Sequence, residues 1–202
     1  HYADSRIIHK RALAKSDIHA VAEFFFDCQL DFSIHQPIPE THRFCWYASP
    51  RPTSDLQARL EFWAEFATQG DYLAIEEASQ LLAISLDAHE IIEQLRQRFA
   101  HLSIIRTTSP IDARHTWIEV FPPGASKGTA AELLCQSLNI ERERTMSIGN
   151  DFNDLAMLEW TGASSVVANA APELVDQFLP APGNDAQGFA VATREWLGKL
   201  QP

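Results

Sequence analysis

Apolar positions in the first two thirds of the chain recur with two alternating periods. Ile18, Val21, Ala22, Phe25 and Phe26 follow one another at helical spacing, which predicts a helix from Ser16 to about Gln29. Leu56, Leu60, Trp63, Ala64 and Ala67 repeat the spacing after Ser54 and Asp55 and predict a second helix that Gly70 ends. Ile91, Ile92, Leu95 and Phe99 predict a third, capped by Asp87. Between the helices lie short runs of apolar, β-branched and aromatic residues at 6–13, 43–48, 80–86, 102–107 and 116–121, which read as strands. The last two are joined by a turn-like Thr108-Ser109-Pro110-Ile111-Asp112.

Pro122-Pro123-Gly124 is the clearest punctuation in the chain and predicts a domain boundary. After it, Ser126 caps a predicted helix to about Leu138. A short strand at 145–148, a helix at 153–161, a strand at 164–168, a helix opened by Pro172 and a last helix at 187–200 follow. Alternation of strand and helix with short connections is the pattern of a parallel sheet. The pattern therefore predicts an α/β fold in two parts, residues 1–121 and residues 122–202.

Composition narrows the function. The 202 residues are 46% hydrophobic and 21% charged, the balance of a folded globular chain. A formal net charge of −11 argues against nucleic acid and against an anionic membrane surface as partner. No stretch approaches the ~18–20 apolar residues of a membrane span, and the first six residues lack the apolar core of a signal peptide. Cys28, Cys45 and Cys135 are odd in number and widely spaced, with no Cys-x-x-Cys. They read as reduced thiols of a cytoplasmic protein, without a disulfide framework. The eight histidines show no His-x-His or His-Glu-x-x-His spacing for zinc.

Two clusters after the boundary carry candidate chemistry. Lys127 follows the capping Ser126, so a cation stands where free backbone N–H groups and the positive end of a helix dipole already favour an anion such as phosphate. The Walker spacing does not fit, because Lys127 precedes Gly128. The second cluster is Gly149-Asn150-Asp151-Phe152-Asn153-Asp154, directly after a predicted strand. Ligands of open parallel sheets bind beyond the carboxyl ends of strands, and carboxylate and amide oxygens gathered there suit Mg²⁺. Read alone, the same residues also make a polar turn in which Asn153 caps the next helix. Together, lysine and acidic loop would flank one phosphoryl group.

The stretches Gly124–Gly128, Ser147–Leu158, Val167-Ala168-Asn169-Ala170 and Gln187–Ala190 resemble the haloacid dehalogenase superfamily, most closely its Cof-type, subfamily IIB phosphatases. The resemblance implies a partial Rossmann-like parallel-sheet core, residues 122–202, and an α+β cap domain, residues 1–121, that selects substrate. It implies Lys127 as the catalytic lysine that also binds phosphate, Asn150, Asp151 and Asp154 as the Mg²⁺ loop, and Asn153 and Asn169 as further phosphate-site residues. The substrate class implied is a small phosphorylated metabolite such as a sugar phosphate. In the cap, His42, Arg43 and Trp46 are candidates to touch it.

Two departures accompany the resemblance. Asn150 stands where the family pattern has its first acidic residue, so Asp151 or Asp154 supplies the negative ligand or holds a metal-bound water. No Asp-x-Asp occurs in the 202 residues, so the family's nucleophile is not in this sequence. The expectation is a phosphatase working through an aspartyl-phosphate on an aspartate outside this chain. The alternative is a phosphometabolite-binding module without turnover, or an inactive fragment that needs the missing N-terminal segment. A chain lacking the central core strand also leaves the strand at 145–148 with an open edge, from which self-association or capture of the missing segment is expected.

Overall fold

The computed structural model describes residues 2–3, 6–7 and 9–199, and these fall into two units that meet at Ala125 and Ser126. In the first unit the strands are β1 (Tyr2–Ala3), β2 (Arg6–Ile7), β3 (Leu13–Ala14), β4 (Asp31–His35), β5 (Phe44–Tyr47), β6 (Ala67–Gln69), β7 (Glu77–Ala78), β8 (Gln80–Ser85), β9 (Ser103–Thr108) and β10 (Thr116–Phe121). The helices are α1 (Lys15–Asp27), α2 (Ser54–Phe62) and α3 (His89–Arg98). Six strands form one sheet in the order β6-β5-β4-β8-β10-β9, antiparallel throughout except for the parallel β5–β6 pair. β1 pairs with β2, and β3 with β7, in two short antiparallel ribbons.

The period-2 geometry of a strand divides this sheet into two chemically different faces. Phe32 and Ile34 of β4, Leu81 and Ala83 of β8, and Ile118 and Val120 of β10 share one face. They pack with Ile18, Val21, Ala22 and Phe25 of α1 and with Ile92 and Leu95 of α3. Full burial of a side chain such as Phe25, Phe32 or Leu95 contributes roughly 1.5–3 kcal/mol. The alternate residues turn to the other face, where Leu82 and Ile84 meet Leu56 of α2, flanked by Trp46, Leu60 and Trp117. Asp31, Ser33 and His35 of β4 share that second face and are buried there.

In the second unit α4 (Lys127–Leu138), α5 (Leu155–Trp160), α6 (Pro172–Val175) and α7 (Gly188–Lys199) accompany three strands, β11 (Met146–Gly149), β12 (Ala163–Val167) and β13 (Leu179–Ala181). The strands are parallel in the order β11-β12-β13, which leaves β11 at an edge. Leu158, Val166 and Leu174 centre the core, with Phe152, Leu155 and Phe178 around them. The two units together give the expected α/β class, a parallel sheet in one and an α+β arrangement in the other.

Several sequence expectations are corrected. β4 was not expected; its alternation of Asp31, Ser33 and His35 with apolar residues marks a strand whose polar side is buried rather than wet. The second helix stops at Phe62, not Gly70, because Ala67–Gln69 pairs with β5 and this ladder outweighs helical periodicity. The N-cap of α1 is Ala14 rather than Ser16, and that of α3 is Ala88 rather than Asp87; neither is capped by a side chain. The strand expected over 6–13 reduces to β2 and the start of β3, with Ile8 outside the described residues. The last helix is described to Lys199; Leu200 lies outside. The helix expected at 153–161 begins as a 3₁₀ turn, Phe152–Asp154, before α5.

Candidate functional site

α4 begins on a formed cap. The Ser126 hydroxyl accepts from the Thr129 amide at 3.0 Å, fixing the first turn and with it Lys127. α4 can reach α5 closely only because Gly128 has no side chain, since a Cβ there would lie 2.4 Å from the Ala156 carbonyl oxygen. Lys127 Nζ donates to Asp154 Oδ1 in a short ion pair; the lysine side chain remains 49% exposed while Asp154 is buried.

Asp154 also holds the end of β11. Its Oδ2 accepts from the Asn150 amide at 2.9 Å, and its own amide donates to the Asp151 carbonyl at 2.9 Å. Gly149 makes room for this closure, because a Cβ on it would sit 2.7 Å from Asp154 Cβ. Asp151 is buried and its Oδ1 accepts from the Phe152 amide at 2.7 Å. Asn150 is exposed at the strand end, and Asn153 is half-buried on the 3₁₀ turn. The loop after β12 lies alongside, joined by the Ala171 amide to the Asn150 carbonyl at 3.3 Å. Asn169, in that loop, is oriented by a reciprocal pair with Asn184: its Nδ2 donates to Asn184 Oδ1 at 2.9 Å, and its Oδ1 accepts from the Asn184 amide at 3.0 Å.

The structure thus gathers Lys127, Asn150, Asp151 and Asp154 at the carboxyl edge of the parallel sheet, with Asn153 on the same turn and Asn169 on the neighbouring loop. Both Asp154 oxygens are engaged within the chain, one by Lys127 and one by a backbone amide. The loop offers hard oxygen donors, and among the described residues no group of three or more His, Cys, Asp or Glu forms a metal cluster.

The first unit carries a second polar system that the sequence did not reveal. α2 is tied to the sheet at three places. Asp31, 1% exposed, accepts from the Ser49 amide at 2.7 Å, the Thr53 amide at 2.6 Å and the Thr53 hydroxyl at 2.7 Å, while Thr53 Oγ1 caps α2 through the Leu56 amide at 3.1 Å. Asp55, fully buried, accepts a short bond from the Ser109 hydroxyl and one from Trp117 Nε1 at 3.1 Å. One helical turn on, Arg59 donates through Nη2 to His35 Nε2 at 2.8 Å. Its guanidinium lies over the rings of Phe44 and Trp117, 5.0 and 4.9 Å from their centroids. Burial pulls the Arg59 pKa down from its ordinary value. These partners lie 18 to 62 residues apart, so no local motif could announce them.

Of the three first-unit residues expected to touch substrate, His42 lines a cleft with Arg59, Arg43 bonds Glu40 at 3.1 Å, and Trp46 packs beside Leu56. Cys28, Cys45 and Cys135 are free and half-buried. No helix among the described residues is long and apolar enough to cross a membrane.

A sequence profile of haloacid dehalogenase-like hydrolases matches residues 1–178. The chain is 36% identical over 83 residues to a phosphoglycolate phosphatase of Methanothermobacter thermautotrophicus, covering 40% of this chain and 37% of that protein. It is 29% identical over 148 residues to an HMP-PP phosphatase of Yersinia pseudotuberculosis, covering 72% and 50%. It therefore spans half or less of the length of these relatives. Among solved structures, it is similar to SMU.1108c of Streptococcus mutans, with a TM-score of 0.75 at 16% identity over 98% of this chain and 73% of that one. The subclass IIB sugar phosphatase BT4131 gives a TM-score of 0.74 at 16% identity over 96% and 71%. The likeness in fold extends through both units, the profile covers most of the sequence, and the lysine and acidic loop meet at the sheet edge: the chain belongs to the haloacid dehalogenase-like hydrolases.

Proposed function

We propose that this chain is the cap and the C-terminal half of the core of a cytoplasmic, Mg²⁺-dependent phosphatase acting on a small phosphate ester. The observation that carries the reading is the Lys127–Asp154 pair at the carboxyl end of β11. A half-exposed ammonium held by a buried carboxylate is oriented without being hidden, the state needed to meet phosphoryl oxygens. The names of the relatives, phosphoglycolate phosphatase and HMP-PP phosphatase, support a small phosphorylated metabolite as substrate.

The donor set of the loop fits Mg²⁺, which takes a few protein oxygens and keeps several waters. Asp151 and Asn150 would hold the ion, with Asp154, whose oxygens are already engaged, keeping the loop and Lys127 in place. When bound, the ion supplies positive charge against the phosphoryl oxygens. Lys127 binds and steadies the same group, and Asn153 and Asn169 offer amides beside it. The nucleophilic aspartate of the proposed two-step transfer is not among these 202 residues.

The test is hydrolysis of a panel of sugar, glycolate and pyrimidine phosphates with Mg²⁺, by this chain and by the protein extended upstream along its reading frame. We expect turnover by the extended protein and none by the 202 residues alone. Phosphate binding with no turnover by either would replace the enzyme reading with a binding module.

A further inference from the structure

α2, β4 and β10 enclose a cleft of about 380 Å³ that lies wholly within the first unit. Its floor is Arg59, 6% exposed, stacked between Phe44 and Trp117. Its mouth carries Phe62, Trp63 and Ile111, of which Phe62 is 78% and Trp63 47% exposed. Three observations make this more than a packing defect. Arg59 forms no ion pair within 4.0 Å of a carboxylate among the described residues, and its Nε is buried without a hydrogen bond. Asp55 and Glu119 supply negative charge to it only from beyond that distance, and their oxygens accept from Ser109 and Trp117 and from Thr107 instead. The acceptor Arg59 does have is a neutral imidazole nitrogen, since His35 Nδ1 gives its hydrogen to the Thr41 carbonyl at 2.8 Å.

A buried guanidinium N–H without an acceptor is costly, and such donors are normally paired. Large aromatic side chains exposed around a concave site mark a surface that is covered in use. We propose that this cleft binds a planar aromatic or heteroaromatic organic anion, its ring against Phe62 and Trp63 and its acidic group on Arg59. The carboxylate or phosphate supplies the missing acceptor for Arg59 in the geometry a guanidinium prefers, and the flat body matches the apolar rim. The site stands on the first unit alone and does not depend on the phosphatase reading.

The test uses the 202-residue chain with benzoate and phenyl phosphate as probes, and cyclohexanecarboxylate and inorganic phosphate as controls, followed by calorimetry and tryptophan fluorescence. Both aromatic anions are expected to bind about three- to tenfold more tightly than their controls, which keep the acidic group and lack only the aromatic ring. Arg59→Gln should abolish binding. Because that variant removes a buried group and can fail to fold, Phe62→Ala and Trp63→Ala at exposed positions provide the independent check, each weakening both probes about fivefold or more. Lys127→Ala should leave benzoate binding intact. Equal affinity for the cyclohexyl control, indifference to both rim variants, or loss of benzoate binding in Lys127→Ala would each overturn the proposal. So would a dimer that blocks the cleft and is broken by Phe62→Ala.

Discussion

Arg59 donates to Nε2 of His35 at 2.8 Å, and this bond decides which ring nitrogen carries the proton. A guanidinium has only donors and the Thr41 carbonyl only accepts, so His35 is neutral with its hydrogen on Nδ1. Burial, with the adjacent Arg59 charge acting the same way, lowers its pKa from 6.5 to about 4, against the pull of the Thr41 bond.

Stability should therefore depend on pH through His35. Between pH 6.5 and about 4 the unfolded chain takes up a proton that the native ring refuses. This contribution is full above 6.5 and is lost as pH falls, on the order of 3 kcal/mol across the window. Urea denaturation of the wild type and His35→Gln, which keeps an acceptor for Arg59 but does not titrate, measures it. The two should diverge in slope below pH 6.5; parallel curves would refute the assignment.

Asp31 joins the 49–53 segment to the sheet through three hydrogen bonds. Asp31→Ala strands the Ser49 and Thr53 amides and should cost about 3 kcal/mol. Asp31→Asn, which retains an acceptor, should cost less. Chemical denaturation midpoints rank the two, and an exposed control such as Asp27→Ala should shift the midpoint by much less.

Gly128→Ala tests the close approach of α4 to α5. The added Cβ meets backbone at 2.4 Å rather than a side chain that can swing away, so the helices must separate, at a cost of roughly 1–3 kcal/mol. Inorganic phosphate binding should weaken with it, because Lys127 is the preceding residue; unchanged melting and binding would show that the contact yields without consequence.

Lys127→Ala should reduce phosphate-ester hydrolysis by the upstream-extended protein by about 10²-fold or more, the scale of one lost electrostatic contact in a transition state. Asp154→Asn removes the counter-charge but leaves an acceptor for the Asn150 amide, so the lysine remains and is less well aimed. A smaller loss is expected, falling on kcat more than on KM. Equal losses would place Asp154 in direct contact with the reacting group.

The candidate core site was legible because its parts are local. Ser126 and Lys127 are neighbours, and Gly149 through Asp154 lie on one strand-to-helix connection, so helix capping and strand-end chemistry are written in consecutive letters. The first unit was less legible where tertiary partners decide. Asp31, Ser33 and His35 interrupt the apolar run that marks a buried strand, and only α2, which covers them, makes their side of the sheet an interior. Phe66–Gly70 continues a helical rhythm until β5 offers it a ladder. Arg59 falls on the apolar face that Leu56, Leu60 and Trp63 define, but what it meets there is not local, since the Phe44 and Trp117 rings that enclose it come from 15 residues before and 58 after in the chain.

β8 belongs to two interiors at once. Leu81 and Ala83 pack with α1 and α3, while Leu82 and Ile84 pack with α2. Neighbouring letters of one short segment thus answer to different pressures. Leu82 and Ile84 are buried too, so a change there disturbs a second, smaller core beside Arg59 while the α1 and α3 side of the sheet keeps its packing. A site-saturation library over the strand should show this as alternation: the narrowest set of survivors at 81 and 83 in a selection for folding, and at 82 and 84 a wider but still apolar set.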